Sequence, residues 1–225
     1  MTTGYGVLWD MDGVLVDSGE FHFRAWSQAL SERDIPFSRD FFQSTFGMNN
    51  TGVLTTLLER APTPELVAEI GDHKELLFRQ AARGHAQPLP GARAWLENLQ
   101  AAGARQAIAS SAPLANIDAL VDGLDLRRYF NAIVSGADLP GKPDPAVFLQ
   151  AAREIGVPTE RCVVVEDAVA GVKAARAAGM RCVAVTTTNP ASALGDADVV
   201  VERLGELAGD VFGQLLMRKN REDVV

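Results

Sequence analysis

Short apolar runs rich in Val and Ile recur along the chain, at residues 7–10, 106–110, 132–135, 162–166, 182–186 and 199–201. The unbroken apolar character of 162–165 predicts a strand covered on both faces. Between the runs, residues 92–102, 113–124, 145–155 and 169–178 repeat their apolar positions at helical spacing. Gly103, Gly156 and Gly179 follow three of these segments, where a left-handed C-terminal cap is wanted. Strand–helix alternation of this kind predicts an open, mostly parallel, doubly wound α/β sheet.

One interval breaks the rhythm. From residue 19 to residue 88 no strand pattern occurs, and 21–32, 51–60 and 64–83 read as helices. Thr63, Pro64 and Glu65 supply an N-cap, a first-turn proline and an early acid. An ordinary strand-to-helix connection takes roughly 2–6 residues, so 19–88 is expected to be an all-helical insert. The polar residues 218–225 are expected to fray.

Composition narrows the class. The 225 residues are 47% hydrophobic and 22% charged, enough to bury a real core in an ordinary globular protein. The 21 basic and 29 acidic residues leave a formal charge of −8, which argues against nucleic acid or an anionic membrane as partner. No apolar run approaches the ~20 residues that span a bilayer, and residues 1–6 show no signal-peptide pattern. Cys162 and Cys182 each open an apolar run and read as buried, reduced core thiols, so a cytoplasmic location is expected.

The candidate chemistry lies where the strands are expected to end. In an open parallel sheet, the carboxyl ends of the strands form the ligand crevice. Asp10 and Asp12 close the first run in WDMDGVLVDS, and Ser110 and Ser111 close the second in IASSAP. Lys142 follows the third in LPGKPDP, and Glu166 and Asp167 close the fourth in VVVEDAVAG. Each segment alone reads as a turn, a cap or a solvated charge, but together they define one pole. Converging carboxylates repel unless a divalent cation sits among them, and magnesium, a hard ion that wants oxygen, suits such a site. Asp10 is then an ionised nucleophile able to form an acyl phosphate. Asp12, beyond which Gly13 lets the chain turn, is placed to give and take a proton at the leaving oxygen. Lys142 and the serines supply charge and donors to the transferring phosphoryl oxygens.

Other readings of the acidic cluster differ in what they require. An EF-hand loop beginning at Asp10 would need Gly sixth and Glu twelfth, where this chain has Leu15 and Phe21. Neither a GxGxxG nor a GxxxxGK[ST] segment supports dinucleotide or P-loop binding. A phosphate-accepting signalling module without turnover uses a similar set of groups, but it has no need of Asp12 or of a long helical insert.

The segments DMDGVLVDS, IASS, GKPDP and VVVEDAVAGVKAARAAG resemble, in order, the four signature motifs of the haloacid dehalogenase superfamily. The resemblance implies a Rossmann-like core, residues 1–18 and 89–225, and a helical cap, residues 19–88. It implies Asp10 as nucleophile, Asp12 as acid/base, and Ser110, Ser111 and Lys142 as phosphate binders. It implies Mg2+ at Asp10, the Asp12 carbonyl and Asp167, with Glu166 beside or behind the ion. The dehalogenases that name the family lack an acid at the place of Asp12, so dehalogenation is disfavoured. Residues 20–26, EFHFRAW, are similar to a stretch of β-phosphoglucomutases. His22 matches a histidine near their acid/base, or else is a helix residue packed at the cap hinge. Lys74, in HKELLFR, is similar in place to a cap lysine of those enzymes that meets substrate. Those mutases hold a second phosphate with an Arg at or near the place of Asn50, and Asn cannot make that charged bidentate contact. The expectation is therefore a monomeric phosphatase of small phosphorylated metabolites, sugar phosphates foremost, with a sugar phosphomutase as alternative.

Overall fold

The computed structural model describes residues 4–217; the expected fraying at 218–225 lies outside them. β1 (Gly6–Trp9), β2 (Arg105–Ser110), β3 (Ala132–Ser135), β4 (Cys162–Glu166), β5 (Arg181–Val185) and β6 (Val199–Val201) form one sheet. Its spatial order is β3-β2-β1-β4-β5-β6, and every neighbouring pair is parallel. This is the doubly wound α/β arrangement the alternation predicts, and β1 lies at its centre, where the winding direction changes.

Alternation along the strands sorts the core into two layers. Val7, Trp9, Ile108, Val163, Val165 and Val183 face α5 (Ala92–Ala101), α6 (Leu114–Gly123) and α9 (Val211–Met217). Leu8, Ala107, Ala109, Val164 and Ala184 face α7 (Ala146–Glu154) and α8 (Val169–Ala177). Gly103, Gly156 and Gly179 all take positive φ after their helices. Cys162 and Cys182 are buried in the second layer, and burial pushes the Cys162 thiol up to about 12, leaving it unreactive.

Between β1 and α5 stand α1 (Gly19–Ser31), α2 (Arg39–Thr45), α3 (Asn50–Leu58) and α4 (Pro64–Ala82). They enclose their own apolar cluster of Trp26, Leu30, Phe42, Phe46, Val53, Leu54 and Ile70. Thr63 caps α4 by accepting from the Leu66 amide at 3.3 Å. The two connections to the sheet run side by side: the Asp17 amide donates to the Gln87 carbonyl at 3.1 Å, and the Leu89 amide to the Leu15 carbonyl at 2.9 Å. Any displacement of these helices must therefore bend both connections together. Among the described residues no helix is long and apolar enough to cross a membrane.

Leu96 is fully buried between α5 and the sheet, whereas Leu114 at the start of α6 is half exposed. Leu96→Ala should lower unfolding free energy by about 2–5 kcal/mol, and Leu114→Ala by less than about 0.5 kcal/mol. Urea denaturation of the two variants checks the contrast.

Candidate active site

The parallel register brings the acids together. Trp9 is level with Val165, so Asp10 and Glu166 leave adjacent strands side by side, and the Asp10 amide donates to the Val165 carbonyl at 2.9 Å. Lys142, from the loop after β3, reaches across and donates to Asp10 Oδ1 and Glu166 Oε1, each at 2.6 Å. Glu166 Oε2 accepts from the Asp167 and Ala168 amides at 2.8 and 2.7 Å. Asp10, Lys142, Glu166 and Asp167 are all at most 5% exposed.

Two glycines make room for these carboxylates. Gly13 turns at φ +81°, and a side chain there would meet Asp167 Oδ2 at 2.0 Å. Gly171 lets α8 close over Glu166, where an added Cβ would lie 1.7 Å from Oε1. Threonine and asparagine from the segment after β5 hold Asp167 from the other side. Thr188 Oγ1 donates to Oδ2, and Asn189 Nδ2 donates to the Asp167 carbonyl at 3.1 Å.

Three acids and one lysine leave the pole short of positive charge. Burial pushes Asp10 up to about 7; Lys142 opposes, while Glu166 and Asp12 add to the rise. Asp167 is pushed well up, first by burial and then by Glu166 and Asp10. Burial would lower Lys142, but Asp10 and Glu166 overcome it and hold the ammonium charged. Asp167 Oδ1 is buried and has no hydrogen-bond partner among the described residues. A buried, unpaired carboxylate oxygen beside a second under-neutralised acid is the donor chemistry of a hard divalent cation. Among the described residues no three His, Cys, Asp or Glu side chains stand as a ready metal cluster. Asp10 and Asp167 could therefore supply two carboxylates to a magnesium ion that keeps waters and takes a phosphate oxygen, its usual habit.

Asp12 points into a separate network. Its Oδ1 accepts from Ser18 Oγ at 2.5 Å and meets His22 Nε2 at 3.1 Å. His22 Nδ1 lies 3.0 Å from Lys74 Nζ. An ammonium only donates, so Nδ1 accepts and the ring proton sits on Nε2, facing Asp12. The imidazole stacks on Phe78 at 3.9 Å between centroids. Burial would raise Asp12, but His22, Ser18 and Lys74 outweigh it and hold the carboxyl below its ordinary range. Lys74 also donates to Glu75 Oε1 at 2.9 Å. Glu75 Oε2 accepts from Asn116 Nδ2 at 2.5 Å, and Asn116 Oδ1 accepts from Arg79 at 2.8 Å. The network thus leaves the sheet at Asp12, crosses α1 and α4, and returns to α6.

A cavity of about 50 Å3 lies between the sheet ends and the insert, lined by Asp10, Asp12, His22, Asn50, Lys74, Glu75, Ser110 and Ser111. That volume holds only a few waters. Ser110 Oγ accepts from the Ala112 amide at 3.1 Å. Ser111 Oγ donates to the Gly47 carbonyl at 2.7 Å, tying sheet to insert. Asn49 makes a second tie, donating to the Leu139 carbonyl at 3.2 Å while accepting from the Gly52 amide. Asn50 packs over Gly71, where an added Cβ would meet its Nδ2 at 2.9 Å.

Several of these groups escape a sequence reading. Thr188 and Asn189 follow β5 just as the other polar groups follow their strands, so the same positional signal was available for them. Ser18 lies within the first motif but resembles any helix cap. Glu75 and Asn116 carry no local signal, because only packing of α4 on α6 brings them together.

The chain belongs to the haloacid dehalogenase-like hydrolase family, which it matches over residues 6–179. It is similar to Protein SUPPRESSOR OF QUENCHING 1, chloroplastic, of Arabidopsis thaliana, at 40% identity over 200 residues, which is 85% of this chain and 19% of that protein. The chain thus spans about a fifth of that relative's length. It is also similar to beta-phosphoglucomutase of Bacillus subtilis, at 33% identity with 89% of this chain and 90% of that one covered. A phosphorylated carbohydrates phosphatase of Thermotoga maritima is 30% identical, with 86% and 91% covered. Among solved structures, a CbbY mutant from Rhodobacter sphaeroides in complex with xylulose-(1,5)bisphosphate superimposes with a TM-score of 0.82 at 26% identity, over 92% of this chain and 98% of that one.

Gly171→Ala should force Glu166 out of its place. Overpacking of this kind costs roughly 1–3 kcal/mol, or a melting-temperature loss of about 2–4 °C per kcal/mol in a domain of this size. Differential scanning calorimetry reads the loss, and an unchanged transition would show that Glu166 is not confined by α8.

Proposed function

We propose that the protein is a magnesium-dependent phosphatase of small phosphomonoesters, sugar phosphates foremost, working through an aspartyl phosphate on Asp10. The observation that carries this reading is the buried pairing of Asp10 with Lys142 at 2.6 Å, with Asp12 on the same cavity wall. Residues 19–88 act as a cap that opens to admit substrate and closes over it, and the chain works as a monomer in the cytoplasm.

The steps follow from the residues. An Asp10 carboxylate oxygen attacks phosphorus while the bond to the leaving oxygen breaks on the opposite side. Lys142 and the Ser110 hydroxyl hold the phosphoryl oxygens, where most of the stabilisation is needed. A bound Mg2+ would keep Asp10 and Asp167 ionised and neutralise the phosphoryl charge. Asp12 gives its proton to the departing alkoxide. His22 and Ser18 hold Asp12 as a carboxylate before substrate arrives; as the phosphate dianion enters, Asp12 takes up a proton from solvent, and this is the proton it gives to the alkoxide. In the second step Asp12 takes a proton from water, which attacks the acyl phosphate and frees phosphate and Asp10. Closure of the insert keeps the acyl phosphate from bulk water until that step.

The nearness of a mutase gives the second reading its weight. A mutase must hold a bisphosphate while it turns over in the site, and Asn50 offers no charge for the second phosphate. Release to water is the better-supported outcome.

Asp10→Asn should abolish phosphate release and leave no covalent adduct. Asp12→Asn should lose about 10²–10⁴-fold on sugar phosphates, and much less on p-nitrophenyl phosphate, whose leaving group needs no proton. Intact-mass measurement after rapid quench reads the adduct, and one that persists in Asp10→Asn would move the nucleophile elsewhere. Excess chelator should stop turnover and magnesium restore it, as read by phosphate release. A coupled assay in which β-glucose 1-phosphate is isomerised faster than it is hydrolysed would replace phosphatase by mutase.

A further inference from the structure

The insert side of the cavity carries Lys74 and Glu75, with His22 between Lys74 and Asp12. Both are buried, at 3% and 4% exposure, and their charged atoms are 2.9 Å apart. Lys74 is enclosed further by the rings of Trp26 and Phe78, 5.2 and 5.7 Å from Nζ. Burial would raise Glu75, but Lys74, His22 and Asn116 hold it below its ordinary range, so it stays a carboxylate. Among the described residues Lys74 is the one Lys or Arg lining this cavity, and its charge is already spent on Glu75 and on His22.

Asp10, Lys74 and Glu75 line one cavity, so a substrate whose phosphate sits at Asp10 would bring its alcohol portion near this pair. An uncharged, hydroxyl-bearing group loses little there. A second phosphate or a carboxylate would meet Glu75 at the place where it seeks Lys74. Two like charges withdrawn from bulk water repel strongly, and a group that repels the wrong ligand contributes to selectivity as much as one that attracts the right one.

We infer that Glu75 is a specificity-determining residue that neutralises Lys74 and restricts the site to phosphomonoesters whose alcohol portion carries no second anionic group. This rests on the phosphatase reading above and goes beyond it, because it separates polyol and sugar monophosphates from bisphosphates and phosphorylated acids. Asn50 withholds a cation from the second anion, and Glu75 adds repulsion.

The test uses two matched pairs of probes in the full chain with magnesium: glycerol 3-phosphate against 3-phosphoglycerate, and fructose 6-phosphate against fructose 1,6-bisphosphate. The wild type should favour the singly phosphorylated, uncharged-alcohol member of each pair by at least about tenfold in kcat/KM, the scale of one charged hydrogen bond. In Glu75→Gln, Lys74 is released from its partner and that ratio should fall by about tenfold or more, mainly through a lower KM for the anionic member. Glu75→Asp, which keeps the charge, should retain most of the discrimination, as a merely structural role would not require. A wild type that handles both members of a pair equally would overturn the inference without any variant. So would a Glu75→Gln ratio equal to that of the wild type. Hydrolysis of neither member would overturn the phosphatase reading itself and this inference with it.

Discussion

Lys142 Nζ lies 2.6 Å from both Asp10 and Glu166 and is almost wholly withdrawn from solvent. Burying an ion costs several kcal/mol even after relaxation, so a cluster of this kind persists only where each charge finds partners. Lys142 answers two of three carboxylates, and two backbone amides complete Glu166. Asp167 is left with one oxygen that finds no partner among the described residues. The rest of the molecule meets this constraint. The parallel sheet aims the acids, Gly13 and Gly171 clear space for them, and the segment after β5 grips Asp167 by Thr188. The shortfall of positive charge is the feature on which the proposed binding of a cation, and of a phosphate beside it, rests.

A second constraint runs at right angles to the first. Asp12 is oriented by His22, His22 by Lys74, and Lys74 by Glu75, which in turn rests on Asn116 of α6. Residues of the insert therefore set the position of an acid that belongs to the sheet. If the insert moves away, Asp12 loses its contact with His22 and keeps that with Ser18, which precedes the insert. Glu75, Lys74 and His22 form one buried strip, so a change at Glu75 is expected to be felt through Lys74 at His22.

Legibility differed by the range of the interaction involved. All six strands and the helices packed on the sheet between β2 and β5 were readable, because burial on both faces leaves continuous apolar runs and helical spacing. The acidic pole was readable because polar groups stood at the ends of consecutive strands. α2 and α9 were not, since each has only seven residues, too short for a convincing period. Ser38, whose hydroxyl accepts from the Phe41 amide at 3.1 Å, was the available sign for α2.

From residue order alone followed the sheet-and-helix alternation, the position of the helical insert and the convergence of Asp10, Asp12, Lys142, Glu166 and Asp167 at one end. These depend on periodicity and chain direction, which are local and repeat along the sequence. Tertiary structure decided which acid pairs with Lys142, which oxygen of Asp167 is left open, and which way the His22 ring presents its proton. It alone brought Glu75 and Asn116 together across 41 residues of chain, because a contact between two helix faces depends on how those helices pack, and no local pattern encodes that.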